Sequence, residues 1–277
     1  MLGTLVRNDL RFVAVCSFGR SGSSYLMALL QAAGVQVADA MPFEDRALQI
    51  SFIRWLAGEM EAAGPAANLA VAGAFGAEYY STMLEGAADP AECEARLETR
   101  LAAMRGGWFA EKVIGTELLR MMLAFDRRDR IRPIYLLRDP RDIFISAKQF
   151  NARRGFRSFA DDGDDRQMLH TICRFQSEQL WVHARSGGLL IHYEDLVARR
   201  EQTIVSVLRH LGHEAITTAR VAAIRTHVPV GGEAVRGHMT SATAQQSIRR
   251  WEAPEGAPYR ALFAEATAAL NASGYAG

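Results

Sequence analysis

Cysteine is scarce in this 277-residue chain: Cys16, Cys93 and Cys173 are odd in number and far apart. That pattern builds neither a disulfide framework nor a structural zinc site, so no metal is expected. An excess of charge of one sign is also missing. Lys and Arg total 32 against 31 Asp and Glu, a net charge of +1. A nucleic-acid binder needs a concentrated basic face, so no nucleic-acid partner is expected. Apolar runs stay well short of the ~20 residues of a membrane span, and Met1–Asp9 carries charge where a secretory leader would be apolar. The expectation is a cytoplasmic protein with no transmembrane segment. Repeats and low-complexity linkers are absent as well, which reads as one domain over 1–277.

What is present is a sequence 49% hydrophobic and 23% charged, long enough to bury a large core. Strand signals fall near 11–17, 35–39, 108–112, 133–138 and 188–192, with helical patterns between them. Such alternation predicts an α/β fold: three α/β/α layers around a central parallel sheet of about five strands, with ligands at the strands' carboxyl ends. Residues 45–107 differ in character, rich in Ala, Glu and Met, with Phe52, Trp55, Leu56 and Met60 spaced for an amphipathic helix. They read as a helical insertion, either a lid over a second substrate or a helical pair covering the sheet.

Most informative is the apolar run Val13–Cys16 leading into Phe18-Gly19-Arg20-Ser21-Gly22-Ser23-Ser24-Tyr25-Leu26. A strand feeding a Gly/Ser-rich basic turn and then a helix gathers backbone N–H groups, hydroxyls and the positive helix end at one place. Arg20 adds a planar fork of donors suited to phosphate or sulfate oxygens. The turn is not the common nucleotide-triphosphate loop: Gly19 and Gly22 are too close and the lysine is missing. Read alone, the turn is either an anion site or a set of helix-capping hydroxyls.

A second segment, Pro133 to Lys148, repeats the plan. Its apolar strand ends at Arg138, Asp139 can cap the helix that follows, Pro140 suits the first helical position, and Asp142 sits where the helix dipole favours an anion. Ser146 lies two turns further on.

Together the two segments resemble the sulfotransferases that use 3′-phosphoadenosine 5′-phosphosulfate (PAPS). Arg20-Ser21-Gly22-Ser23-Ser24 matches that family's 5′-phosphosulfate loop, and Arg138-Asp139-Pro140-Arg141-Asp142 with Ser146 matches its 3′-phosphate segment. Two further pieces fall in order: His192-Tyr193-Glu194-Asp195-Leu196 is similar to its Tyr-Glu-Asp-Leu strand end, and Ser247-Ile248-Arg249-Arg250-Trp251 to its Ser-x-x-Arg-Trp segment. The likeness covers roughly 10–255. It implies a P-loop-like sulfotransferase fold, PAPS as donor and adenosine 3′,5′-bisphosphate (PAP) as product, with no metal. The acceptor it implies is a hydroxyl on a small molecule, glycan or lipid, and the oligomeric state, monomer or homodimer, stays open.

The resemblance also implies roles. Arg20 stands where many members have lysine and is the candidate for neutralising the leaving oxygen; Lys112, in a Glu111-Lys112 pair at a strand end, is a second such cation or else a surface partner of Glu111. Ser21, Gly22, Ser23, Ser24 and Tyr25 belong to the donor loop. Arg138, Ser146, Arg249 and Arg250 are candidates for the 3′-phosphate, with Arg250 the better placed of the adjacent pair. Tyr193 and Trp251 either help hold adenine or belong to the core.

An acceptor hydroxyl must lose a proton, so a general base is expected. Glu44, after the second strand, is the first choice and Asp45 its neighbour; His238, in a late loop similar to a His-x-Thr-Ser segment of bacterial members, is a third candidate. His170 and His192 read as structural. Arg153, Arg154 and Arg157 line either an acceptor channel or a solvated loop, and Asp161–Asp165 reads as a solvated acidic loop. Two other classes fit parts of the pattern: a small-molecule kinase, which would need magnesium carboxylates, and a nucleotide-binding module without chemistry.

Overall fold

The computed structural model describes residues 10–37, 107–113, 131–228 and 239–276, with Gly115, Thr116, Leu119, Arg120 and Leu123 between them. Four parallel strands form one sheet in the order β2-β1-β3-β4: β1 (Leu10–Ser17), β2 (Gly107–Val113), β3 (Ile131–Leu137) and β4 (Leu189–His192). These match four of the five strand signals. At the signal near 35–39 the structure records a single parallel bridge, Gln36 to Phe109, which places that chain beside β2 at the sheet's edge.

Strands covered on both faces read as unbroken apolar runs rather than alternations, and Phe12 to Cys16 of β1 are all buried. Successive side chains point to opposite faces. On one face Val13, Val15, Ile134 and Leu136 pack under α1 (Ser23–Ala32), α4 (Tyr193–Ala198), α5 (Arg200–His210) and α6 (Thr218–His227). Leu26, Leu29 and Leu30 form the buried stripe of α1, which runs out at Ala33 before Gly34 turns left-handed at φ 95°.

The other face is covered by α2 (Pro140–Arg154) and α3 (Asp165–Ser186), with α7 (Arg260–Glu265) and α8 (Thr267–Ala272) packed outside them. Tyr135 of β3 illustrates the alternation: its hydroxyl bonds Ser186 at 2.8 Å and its ring meets His183 edge-on, both on α3. Helices therefore cover both faces, giving the expected three layers. The carboxyl ends of β1, β2 and β3 open on one edge, where the site is found.

The helical insertion at 45–107, apart from its last residue, lies outside the described residues, as do Glu44, Asp45 and His238. Among the described helices none is long and apolar enough to cross a membrane.

Candidate active site

After β1 the chain makes the tight turn its composition predicts. Arg20 takes a left-handed conformation, φ 71°, and Gly22 follows at φ 90° as the N-cap of α1. For arginine that conformation costs about 1 kcal/mol or more, a strain of the kind found where a side chain must be aimed. Glycine at 22 is required twice over, since a Cβ there would lie 2.4 Å from the Tyr193 ring. Gly22, the N-cap residue, makes no side-chain cap bond to α1. The first-turn N–H groups, which have no carbonyl within their helix, open on the cleft that Gly22, Ser23 and Ser24 line.

The corner after β3 forms by the predicted local rules. Asp139 accepts from the Arg141 N–H at 2.9 Å, and Pro140 opens α2. Asp139 is paired with Arg141, at 2.7 Å, rather than with Arg138. Arg141 lies flat on Trp251, 3.7 Å from the ring centre. Arg138 is thereby left to span two loops: it donates to the Arg20 carbonyl at 2.6 Å and to the Ser247 carbonyl at 2.5 Å, and stacks on Tyr193 at 4.6 Å. Only 4% of Arg138 is exposed, and its Nε has no hydrogen-bond partner among the described residues. An unpaired donor on a buried cation is costly unless an anion completes it.

Between the two corners runs a chain of polar contacts. Arg20 Nε donates to Ser146 Oγ at 3.2 Å, Ser146 meets Thr240 Oγ1 at 3.0 Å, and Arg250 Nη1 donates to the same Thr240 oxygen at 2.8 Å. The Arg20 guanidinium also rests on Phe150, 4.2 Å from its centre. Desolvation first, then the charges of Arg138, Arg250 and Arg153, lowers the Arg20 pKa to about 10; it stays cationic at neutral pH and is eased by any anion brought between these groups. On the loop's other side Lys112 Nζ donates to Ser24 Oγ at 3.1 Å. Lys112 thus reaches the loop after β1, while Glu111, its neighbour on β2, projects to the opposite face.

One cleft, about 650 Å³ when counted out to solvent, takes in both corners. Its lining includes Arg20, Ser23, Ser24, Tyr25, Arg138 and Ser146, with Tyr193 between them. Tyr193 donates to or accepts from Ser247 Oγ at 2.8 Å, and Tyr25 presents a buried hydroxyl with no partner among the described residues. Ser21 is wholly buried behind the loop and Arg250 lies behind Thr240, its Nε on Glu255 at 2.6 Å; neither lines the cleft. Arg249 points to solvent near Glu252. Both backbone N–H groups of that pair bind Asp142, at 2.8 and 2.7 Å. Burial raises the Asp142 pKa to about 6 although Arg138 and these two N–H groups oppose the rise.

The structure adds lining residues the sequence did not single out, Met239 and Ala244; their only signal was position beside a motif. It also corrects the acidic loop. Asp161 is not solvated: 7% exposed, it accepts from Asn151 at 3.0 Å and pairs with Lys148 at 3.3 Å. Arg153, though exposed, donates to the carbonyls of Met239 and Thr240. Among the described residues no group of three His, Cys, Asp or Glu comes together.

A parallel α/β sheet with an anion cleft of two basic corners defines a class that the comparisons make specific. Residues 13–217 match the model of the sulfotransferase family; the chain belongs to that family and its reaction is sulfuryl transfer. Among solved structures it is similar to retinol dehydratase in complex with androsterone and the inactive cofactor PAP, at 17% identity, 95% of this chain, 80% of that one and a TM-score of 0.52. It is also similar to mouse sulfotransferase SULT7A1 complexed with PAP, at 11% identity, 96% and 89% coverage and TM-score 0.50, and to the sulfotransferase domain from the curacin biosynthetic pathway, at 14%, 91%, 96% and 0.50. At these identities the likeness is one of fold. No curated protein matches.

Proposed function

We propose that the chain moves a sulfuryl group from PAPS to a hydroxyl of a carbohydrate, lipid or small metabolite. The observation that carries this is the shared cleft: Ser23 and Ser24 of a strand–loop–helix anion site, and Arg138 with Ser146 of a second basic corner, line one space. A nucleotide with phosphate at both its 5′ and 3′ positions fits two such corners, whereas a triphosphate needs one. The structures of this fold that hold PAP support the same ligand.

In this reading the donor supplies the sulfuryl group and leaves as PAP. The first turn of α1 and the Ser23 and Ser24 hydroxyls hold the phosphosulfate end, and Lys112, already on Ser24, stands with Arg20 to offset charge on the oxygen that leaves. Because Arg20 holds its proton, its contribution is electrostatic. Arg138 Nε and Ser146 hold the 3′-phosphate, Arg250 acts on it through Thr240 and Ser146, and Tyr193 and Tyr25 face the nucleoside. Glu44 takes the acceptor proton as the S–O bond to the acceptor forms and the bond to the donor phosphate breaks. His238 and Asp45 are the alternatives for that proton, and the 45–107 insertion of the single domain is proposed to serve as the acceptor lid.

Incubation with isotopically labelled PAPS and an extract of the producing cells tests the reading. Transfer of label to a product, lost in Glu44→Gln while PAP binding persists, is the expected result. Magnesium-dependent phosphoryl transfer from ATP would overturn it in favour of a kinase, and PAP binding without any transfer would leave a binding module.

A further inference from the structure

The peptide unit between Arg138 and Asp139 belongs to neither β3 nor α2, yet both its polar groups are held by side chains. Its carbonyl accepts from Gln176 Nε2 of α3 at 2.6 Å, and its N–H donates to Glu194 Oε1 of α4 at 3.0 Å. The rotation of this unit sets the direction in which the Arg138 side chain leaves the backbone. Glu194 is in turn held from far along the chain: Tyr275 donates its hydroxyl to Glu194 Oε2 at 3.0 Å. A phenol has one proton to give, so the 3.0 Å contact between Tyr275 and His192 Nδ1 has the imidazole N–H as its donor. The next residue adds a second tie, since Arg141 Nη2, besides gripping Asp139, donates to the Ala276 carbonyl at 3.1 Å. Burial and the adjacent Glu194 hold the Tyr275 pKa well above its usual value, which keeps the donor in place at all working pH.

We infer that Tyr275 and Ala276 form a strap that positions Arg138 for the 3′-phosphate of the donor. Tyr275 acts through Glu194 and the Asp139 N–H, and Ala276 through Arg141 and the Asp139 carboxylate. These are positioning residues. The inference rests on the sulfotransferase reading, because it assigns the corner they hold to one phosphate of one nucleotide. It separates them from residues that merely fasten the last helix. Loss of general packing would weaken every nucleotide alike, whereas loss of the strap weakens only a ligand that has a phosphate at the 3′ position.

The test compares the affinities of PAP and AMP, which differ only by that phosphate, for the full chain and for Tyr275→Phe, by calorimetry. Removing one hydrogen bond that orders a charged ligand-holding group is expected to weaken PAP about fivefold to tenfold, with AMP unchanged within about twofold. Equal weakening of both ligands, or no change in either, would overturn the strap. Should Tyr275→Phe fail to fold, Glu194→Gln reads the same ratio, with the same outcomes deciding. A wild-type protein that binds PAP and AMP equally would remove the donor assignment, and the strap with it.

Discussion

Arg138→Lys keeps the charge of the corner proposed to hold the 3′-phosphate and removes its geometry. Arginine bridges the carbonyls of Arg20 and Ser247 while its plane lies on Tyr193. A lysine ammonium can reach one of those carbonyls, not both, and lacks the flat face. Losing one charge-assisted hydrogen bond removes about 1.5–3 kcal/mol, and losing the stack removes about 1–2 kcal/mol. Part of this falls on the fold, because two loops lose their tie. The part felt by the donor is about 2–3 kcal/mol, a rise in the PAP dissociation constant of about 30- to 150-fold. Calorimetric titration with PAP and AMP reads it directly, since AMP should bind the variant within about twofold of wild type. If both ligands weaken alike, or if PAP binds unchanged, Arg138 does not hold the 3′-phosphate and the reasoning fails.

Other changes follow from the same geometry. Gly22→Ala forces a left-handed alanine whose Cβ meets the Tyr193 ring, a combined cost of about 2–4 kcal/mol; a denaturant midpoint equal to wild type would show that the turn is not as described. Leu30→Ala opens a cavity in a side chain with no exposure and should cost about 2–5 kcal/mol by the same measurement. Asp142 has a folded pKa raised to about 6, above its unfolded value, so the native state binds the proton more tightly. Its contribution is present at low pH and lost as pH rises through 6. Between pH 4 and 7 the wild type should lose up to about 2–3 kcal/mol relative to Asp142→Asn, and parallel stability profiles would refute the shift.

Local rules made the two corners legible. A Gly/Ser turn between an apolar run and a helix, and an Asp-Pro start after β3, specify backbone geometry within a few residues, and the structure reproduces both. Contacts made across the fold were not legible in this way. Nothing in the pattern of α3 marks Gln176 as the partner of the Arg138 carbonyl, or Tyr275 as the partner of Glu194 81 residues earlier. Asp142, placed by sequence as a complement to the helix dipole, also binds the N–H groups of Arg249 and Arg250 more than 100 residues later. Asp161 read as solvated because its neighbours are acidic; Asn151 and Lys148, a helix turn away on α2, draw it in.

The central claim is that one cleft holds two phosphate-bearing ends of a single nucleotide. Thermal unfolding with PAP, and separately with ATP and magnesium, tests it most directly. At a PAP concentration about 100 times its dissociation constant the stabilisation is about 2.7 kcal/mol, a rise in Tm of about 5–10 °C for a chain of this size. The account predicts that rise with PAP and none with ATP and magnesium; a rise with ATP and magnesium, or none with PAP, would contradict it.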